Sequence, residues 1–295
     1  MTTKETNENE KSAWTRGIPG FRKQSLVSVF SRPRLVRHSV VTARWSLPPL
    51  TIAVVADLHV CAPWVSLGAV SRIVELTNAL QADLVMLPGD FIASRSLPGR
   101  RESMPAIARV LRDLRAPLGV FAVMGNHDWW DCDLAQSSGF KASSVADGLA
   151  AVGIPLLSNR AERVETPQGA FWIVGMDSQR PIRGRPKRGF HDPEKAFAGV
   201  DATEAAILMA HEPDFFATGD NRAFLQISGH THGGQMNLAR WRPLTPSVYG
   251  SKYAWGHIRD GDRHLIVSGG IGYSGLPLRI FQPPEITLVT VSGEG

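Results

Sequence analysis

The sequence lacks three features that define large classes of protein. It has no run near the ~18 consecutive apolar residues that a membrane-spanning helix needs. Residues 1–14 are polar and contain no apolar stretch of the signal-peptide type. Only two cysteines, Cys61 and Cys132, occur in 295 residues, which excludes a disulfide framework and fits a reducing compartment. The sequence therefore predicts a cytoplasmic protein.

The composition is that of a globular protein with a substantial core. Hydrophobic residues make up 43% of the chain and charged residues 20%, which excludes wholesale disorder, a collagen-like fibre and a coiled coil. The formal net charge is +5, so acidic partners such as phosphate, lipid headgroups or nucleic acid suit the surface. The charge alone selects none of these partners.

The basic charge is concentrated near the N-terminus. We expect residues 1–46 to form a basic leader and residues 47–295 to form one domain. Two interpretations of the leader are possible. It lies on the anionic inner face of the cytoplasmic membrane, or it packs on the edge of the domain. Between residues 14 and 46 there is no acidic residue, and the basic ones are Arg16, Arg22, Lys23, Arg32, Arg34, Arg37 and Arg44.

From residue 50 onward, short apolar runs alternate with segments of helical spacing, and the second half is richer in strands. This order predicts an α/β fold in which two mixed sheets pack face to face with helices outside, a four-layer α-β-β-α sandwich. The predicted strands are 51–56, 84–87, 118–124, 163–165, 171–175, 205–209, 224–228, 264–268 and 285–291, and the predicted helices are 67–80, 103–115 and 143–152.

Carboxylates, imidazoles and an amide follow five of the predicted strands directly. Ligands collect beyond the carboxyl ends of strands in α/β sheets, so we expect these segments to converge in one cleft. In extended backbone, residues i and i+2 point to the same side, which would aim each D-x-H or H-x-H pair at one point. The residues concerned are Asp57 and His59, Asp90, Asn126 and His127, His211, and His230 and His232.

Mixed carboxylate and imidazole ligands suit Mn, Fe or Zn better than the all-oxygen cages of Ca or Mg. A carboxylate such as Asp90 can bridge two ions, and two ions ~3.5–4 Å apart suit an in-line displacement at phosphorus. The pattern therefore predicts a phosphohydrolase that uses two divalent metal ions.

The order D-x-H, G-D, G-N-H-D, H and G-H-x-H over residues 50–235 resembles the calcineurin-like metallophosphoesterase superfamily. The tail, with GHTHGGQ at 229–235 and SGGIGYSGLPLR at 268–279, is similar to bacterial phosphoesterases of the YkuE/YaeI type. That subgroup is often membrane-associated and includes relatives that cleave the diphosphate of UDP-diacylglucosamine.

The resemblance implies a role for each matched residue. Asp57, His59 and His232 would hold the first metal, Asn126, His211 and His230 the second, and Asp90 would bridge them. A hydroxide between the metals would attack phosphorus, without a phosphoenzyme. His127 would stabilise charge or protonate the leaving oxygen, and Asn126 would also contact phosphate.

Two departures from the family pattern stand out. Phosphoprotein phosphatases carry G-D-x-x-D-R after the second strand, whereas Ala93 and Ser94 occupy those positions here, so we expect His127 to lack that carboxylate partner. Gly269 stands where relatives carry arginine, which makes Arg279 the candidate for a displaced phosphate contact. The basic loop 179–192 is either a solvated surface or a phosphate-binding rim.

The leading hypothesis is hydrolysis of a phosphodiester or diphosphate, with a lipid-linked nucleotide such as UDP-diacylglucosamine as one substrate. A nuclease or cyclic-nucleotide phosphodiesterase on the same fold is the enzymatic alternative, and a non-catalytic scaffold is the other. The expected partners are a phosphate-containing small molecule or lipid-linked substrate and an anionic membrane surface, with no protein partner.

Overall fold

Two mixed β-sheets pack face to face in the computed structural model, which describes residues 27–28, 32–184, 188–238, 241–243 and 245–294. The strands are β1 (Val27–Ser28), β2 (Arg34–Val41), β3 (Leu50–Val54), β4 (Cys61–Ala62), β5 (Leu84–Leu87), β6 (Arg100–Arg101), β7 (Val120–Ala122), β8 (Arg160–Thr166), β9 (Gly169–Met176), β10 (Ala206–Ala210), β11 (Leu225–Ser228), β12 (Gly256–Asp260), β13 (Arg263–Val267), β14 (Arg279–Ile280) and β15 (Glu285–Ser292). The helices are α1 (Leu67–Ala79), α2 (Met104–Leu111), α3 (Asn126–Trp130), α4 (Asp133–Ser137), α5 (Ser144–Ala151) and α6 (Pro193–Ala196), with 3₁₀ helices at Pro213–Thr218, His232–Gly234 and Gly250–Tyr253.

Each large sheet contains a group of parallel strands. The five-stranded sheet has the order β2-β15-β3-β5-β7, and β3, β5 and β7 run parallel. The six-stranded sheet has the order β12-β13-β11-β10-β9-β8, and β9, β10, β11 and β13 run parallel. The loops that leave the carboxyl ends of these parallel strands therefore emerge together at one edge of each sheet.

Three apolar layers hold the sheets and helices together. Between the sheets, Ile52 of β3 and Ile173 of β9 belong to one core cluster, and both are fully buried. On the outer faces, Val70 of α1 packs in the cluster of the five-stranded sheet and Phe215 in that of the six-stranded sheet. Each such side chain contributes about 1.5–3 kcal/mol relative to leaving it in water. The predicted four-layer α-β-β-α sandwich is confirmed.

The predicted elements are present, with boundaries that differ by a few residues. The predicted helix 103–115 is shorter, because it begins after Ser103 and the chain turns after Leu111 to reach Ala116 and Pro117. The predicted strand 118–124 pairs with its neighbour only over Val120–Ala122. These ends depend on tertiary contacts and strand pairing, which the hydropathy of the sequence does not report.

Part of the expected leader belongs to the sheet. β2 pairs in parallel with the whole of β15, and Arg34 makes a buried ion pair of 2.8 Å with Glu285. Arg44 donates hydrogen bonds to the carbonyl groups of Asn221 and Arg222. Packing on the domain edge thus describes residues 34–46, whereas Arg16, Arg22 and Lys23 lie outside the described residues and their membrane contact stays a prediction.

Within the described ranges, none of the helices combines the length and the apolar character needed to cross a membrane.

Candidate metal centre

The loops at the carboxyl ends of five parallel strands bring all the predicted site residues together. Asp57 and His59 follow β3, and Asp90 follows β5. Asn126 and His127 open α3 after β7, whereas His211 follows β10 and the His230–His232 segment follows β11. The eight side chains are buried, with His127 the most exposed at 7%. Two sheets thus contribute to one centre from opposite sides of the inter-sheet core.

One group of donor atoms lies around His59. Its Nε2 atom is 3.1 Å from Nε2 of His232 and 3.3 Å from Oδ2 of Asp90. The Nε2 atom of His232 is in turn 4.0 Å from Oδ1 of Asp57. Asp57, His59 and His232 offer ligand atoms within 4.8 Å of one another, which is the spacing that a single metal ion requires.

A second group lies around His211. Its Nε2 atom is 3.2 Å from Oδ2 of Asp90, 3.2 Å from Oδ1 of Asn126 and 3.3 Å from Nδ1 of His230. The Oδ2 atom of Asp90 therefore faces both groups, because it is also close to His59. A single carboxylate oxygen in this position can bridge two cations.

Hydrogen bonds on the outer side of the imidazoles fix which nitrogen faces the centre. The carbonyl oxygen of Ile92 lies 3.2 Å from Nδ1 of His59, and that of Pro88 lies 2.6 Å from Nδ1 of His211. Because a carbonyl oxygen can only accept a hydrogen bond, the proton of each ring is on Nδ1. The carbonyl of Pro246 does the same for Nε2 of His230 at 2.9 Å. In the neutral form of these three imidazoles the inward nitrogen keeps its lone pair, which is the state that a metal ligand needs.

Arg279 is not a substrate contact. Its side chain is fully buried and donates hydrogen bonds to the carbonyl groups of Gly269 and Gly272, and its Nη2 atom lies 3.1 Å from Nδ1 of His232. The expectation that Arg279 takes over a displaced phosphate contact is therefore wrong. The arginine instead holds the loop after β13 against His232.

The backbone at the centre is unusual. Ten described residues other than glycine have positive φ, and five of them are candidate ligands: Asp57, His59, Asp90, His230 and His232. Such left-handed conformations cost free energy and cluster at functional sites. The D-x-H and H-x-H pairs therefore converge through left-handed turns beyond the strand ends, and the expectation that extended backbone aims them at one point is wrong.

Two glycines allow the carboxylates to approach the backbone. A Cβ atom on Gly125 would lie 2.2 Å from Oδ1 of Asp90, and one on Gly229 would lie 2.7 Å from Oδ2 of Asp57. Both distances are too short for non-bonded atoms, so neither position can carry a side chain. These glycines are therefore required by the position of the carboxylates.

The charges of the centre favour a cation. Oδ1 of Asp57 accepts a hydrogen bond from the backbone N–H of His230, but its buried Oδ2 atom has no partner among the described residues. Burial raises the pKa of Asp57 to about 6. An unpaired buried carboxylate is costly, and a bound cation removes that cost. The donor set therefore fits divalent metal ions.

The imidazoles respond to the same charges. Burial lowers the pKa of His230 well below its ordinary value, aided by His211, and burial and His59 do the same for His232. Burial also opposes protonation of His211, but the carboxylate of Asp90 outweighs it and raises the pKa of His211 well above its ordinary value. In the absence of a cation, Asp90 attracts a proton to the position that a metal would take.

A carboxylate partner of His127 escaped the sequence analysis. Oδ2 of Asp131 lies 2.6 Å from Nδ1 of His127, and the Asp131 side chain is buried. The acid of the G-D-x-x-D-R pattern is absent at Ala93, but Asp131 supplies a carboxylate to His127 from another position. The i,i+4 spacing of His127 and Asp131 was the available signal, but it counts only once a helix is assigned there.

The neighbouring residues have mainly structural contacts. Asp128 accepts hydrogen bonds from the backbone N–H groups of Asp90, Phe91, Ile92 and Gly125, which ties the loop after β5 to α3. Trp129 is buried and donates to Asp177, whereas the ring of Trp130 contacts that of His127 edge to face. Of the two tryptophans, only Trp130 is therefore a neighbour of the centre.

The sequence model of the calcineurin-like phosphoesterase family matches residues 50–234 of this chain. It is 28% identical over 269 residues to the uncharacterized metallophosphoesterase YkuE of Bacillus subtilis, covering 89% of this chain and 87% of that protein. It is 29% identical over 257 residues to the phosphodiesterase YaeI of Escherichia coli, covering 86% of this chain and 87% of that one. Among solved structures, GAP50, the anchor in the inner membrane complex of Plasmodium, has a TM-score of 0.43 and 13% identity over 82% of this chain and 81% of its own.

Proposed function

We propose, since this chain belongs to the calcineurin-like phosphoesterase family, that it is a phosphohydrolase that cleaves a phosphodiester or diphosphate bond at a centre of two divalent cations. The Oδ2 atom of Asp90 carries this proposal, because it lies 3.3 Å from Nε2 of His59 and 3.2 Å from Nε2 of His211. One carboxylate oxygen between two ligand groups suits a pair of cations, which two-metal hydrolases hold ~3.5–4 Å apart.

The ligands divide into two sets around that oxygen. Imidazole nitrogens mixed with carboxylate and amide oxygens favour Mn, Fe or Zn over Ca or Mg. When bound, the two cations would lower the pKa of water and neutralise charge on the phosphoryl group. In our assignment Asp57, His59 and His232 hold the first cation, Asn126, His211 and His230 hold the second, and Asp90 holds both.

We assign a separate task to His127. One of its ring nitrogens lies within 4.8 Å of ligand atoms of both His59 and Asp90, and Nδ1 is hydrogen-bonded to Asp131. The ring is therefore held with one nitrogen on a carboxylate, which fixes the orientation of the other. We propose that His127 stabilises the phosphoryl oxygens or donates a proton to the leaving oxygen.

An open groove between the basic loop after β9 and the segment at the end of α4 supports a substrate with an apolar part, such as a lipid-linked nucleotide. It has a volume of about 520 Å³ and is lined by Phe140, Ile182 and Phe190, with Arg188 at its side. Ile182 belongs to the basic loop that follows β9, so the groove adjoins that loop. Apolar side chains and one cation suit an acyl chain attached to a phosphate.

The proposal is tested by hydrolysis of bis(p-nitrophenyl) phosphate with protein loaded with Mn²⁺, compared with protein treated with a chelator. We expect metal-dependent turnover that falls at least 100-fold in Asp90→Asn and in His127→Ala, since a positioned acid or base contributes about 10²–10⁴-fold. Asp147→Asn, an exposed substitution on α5, is the matched control for Asp90→Asn and keeps wild-type turnover.

The substrate part of the proposal has its own comparison. UDP-diacylglucosamine should have a higher kcat/KM than UDP-N-acetylglucosamine, which lacks the long acyl chains. Turnover that survives both Asp90→Asn and His127→Ala would refute the site, whereas equal kcat/KM for the two nucleotides would refute only the lipid-linked substrate. Single-stranded DNA and cyclic AMP, assayed in parallel, address the nuclease and cyclic-nucleotide alternatives.

A further inference from the structure

The basic loop after β9 is anchored next to the centre. The backbone N–H of Gln179 and the hydroxyl of Ser178 both donate to the carboxylate of Glu212, which is buried and directly follows His211. The first part of the loop, from Gln179 to Gly184, therefore starts from a fixed point beside a candidate ligand. Arg185 and Lys187 lie outside the described residues.

Two arginines of this loop reach opposite sides of the centre. Nη1 of Arg180 donates to the carbonyl oxygen of Pro246 at 3.0 Å, and that oxygen also accepts from Nε2 of His230. Nη2 of Arg183 lies 3.5 Å from Oδ1 of Asp131, whose other oxygen contacts His127. The loop thus spans the centre from the His230 side to the His127 side.

Two arginines gather on the His127 side of the centre. Nε of Arg95 lies 4.0 Å from the same Oδ1 atom of Asp131, so two guanidinium groups share one buried carboxylate. The exposed carboxylate of Asp133 also forms an ion pair with Arg95. Both guanidinium groups thus lie within 4.0 Å of the same oxygen of Asp131, and a phosphoryl group bound beside them would be attracted to both cations.

Arg183 has the geometry of a ligand-binding side chain. Its guanidinium lies 4.9 Å from the ring of Trp130, over its face, which orients the planar group. The side chain is 58% exposed and, among the described residues, its guanidinium makes the single hydrogen bond to Asp131. Most of its five N–H donors thus remain for a ligand, and a guanidinium binds phosphate oxygens in pairs.

We propose that Arg183 and Arg95, gathered on Asp131 beside His127, form an anion subsite that binds a second phosphoryl group next to the one that is hydrolysed. The inference rests on the proposed function and narrows its substrate to a compound with two adjacent anionic phosphoryl groups. Arg183 and Arg95 determine specificity, whereas Asp131 is a positioning residue because it acts through them and through His127.

The test measures binding, so that it does not depend on turnover. Two probes without a P–O–P bond are compared by titration calorimetry with the Mn²⁺-loaded protein: a uridine 5′-phenylphosphonate with one anionic group, and the phenyl ester of uridine 5′-methylenediphosphonate with two. Phosphorus NMR after each titration verifies that the ester bonds of both probes are intact. In wild-type protein we expect the second probe to bind more tightly. In Arg183→Gln its advantage should fall about tenfold, the effect of one charge-assisted hydrogen bond, and Arg183→Lys should lose less because the charge remains.

Arg72→Gln, an exposed substitution on α1, is the matched control and should keep the wild-type ratio of the two dissociation constants. An unchanged ratio in both Arg183→Gln and Arg95→Gln would overturn the subsite. The same holds if wild-type protein binds both probes equally. Failure of the proposed function would be recognised separately, as absence of Mn²⁺-dependent hydrolysis of bis(p-nitrophenyl) phosphate.

Discussion

The Nδ1 atom of His127 lies 2.6 Å from Oδ2 of Asp131, one helical turn further along the chain. Burial opposes ionisation of Asp131, but the hydrogen bond and charge of His127, the backbone N–H of Arg95 and the charge of Arg183 together outweigh it and lower the pKa of the carboxyl group. The ionised carboxylate accepts the proton of Nδ1, so the lone pair or second proton of His127 is at Nε2. The pair thus sets the tautomer of the imidazole.

The first prediction follows from this contact. In Asp131→Asn the amide can keep the hydrogen bond but cannot stabilise an imidazolium, so we expect kcat to fall about 10–100-fold. The Mn²⁺ content should stay at the wild-type value, because Asp131 is not among the candidate ligands. The effects of Asp131→Asn and His127→Ala should not add, since both remove the same function. Additive losses in the double variant would show that Asp131 acts independently.

The second prediction concerns the bridging carboxylate. Asp90→Asn replaces a carboxylate oxygen that faces both ligand groups with an amide, which is a weak bridge between cations. We expect bound Mn²⁺, measured by atomic emission after gel filtration, to fall from near two ions per chain to one or fewer. Asp147→Asn should retain two. Retention of two ions in Asp90→Asn would rule out the bridging role.

The sequence was sufficient to predict that the candidate ligands lie close together, because each comes just after a buried strand. Asp57, Asp90 and His211 could be placed at strand ends from apolar runs alone, and a sheet brings its carboxyl ends together whatever the loops do. The four-layer architecture followed from the same alternation of strands and helices. Element ends, such as that of α2, depended on tertiary pairing and were less accurate.

The partners of the ligands could not be read in the same way. Asp131 and Arg183 are 52 residues apart in the chain, and their contact depends on the path of a loop that has no hydrophobic pattern. Arg279 was the candidate for a phosphate contact because Gly269 stands where relatives carry arginine. Its side chain is instead buried against the loop after β13, which only the packing of the folded chain decides. Loop paths and burial are decided by tertiary structure, which spacing in sequence does not encode.

The third prediction tests the close approach of backbone and carboxylate. A methyl group at Gly229 would lie 2.7 Å from Oδ2 of Asp57 and 3.0 Å from Cβ of Ala56. Gly229→Ala should therefore displace the Asp57 carboxylate, and we expect Mn²⁺ affinity in a competition titration to fall about tenfold or more. Gly68→Ala on α1 is the matched control, since the nearest atom to that Cβ is Oγ of Ser66 at 3.9 Å, and should leave affinity unchanged. Equal affinities in all three proteins would contradict the crowding argument.

The fourth prediction concerns pH and a histidine pair far from the metal ligands. Burial lowers the pKa of His257 to about 4, aided by His264, His38 and Arg259, and Nε2 of His257 lies 2.9 Å from Nδ1 of His264. The unfolded chain, with a histidine pKa near 6.5, binds more protons between pH 4 and 6.5. The free energy of unfolding should therefore decrease as pH falls through that window.

The contribution of His257 is isolated by difference. Urea unfolding of wild type and His257→Gln at pH 7.5 and pH 5 should give a smaller pH-dependent loss in the variant, by on the order of 1 kcal/mol. Subtraction removes the contribution of the metal centre, which titrates in both proteins. The same pH dependence of the free energy of unfolding in both proteins would show that the pKa of His257 is not lowered.

The last prediction joins metal binding to stability through Asp57. Its Oδ2 atom is buried without a partner in the described part of the chain, so the metal-free protein retains an uncompensated carboxylate. Mn²⁺ at 1,000 times its dissociation constant stabilises the folded state by about 4 kcal/mol, and a chelator should lower Tm accordingly, by roughly 8 °C or more. In Asp57→Asn the charge is gone while the oxygen can still accept the N–H of His230. We therefore expect the variant to have a higher Tm than wild type in chelator and a lower one in Mn²⁺. This reversal distinguishes a ligand from a structural acid, because a structural acid would lower Tm on removal under both conditions.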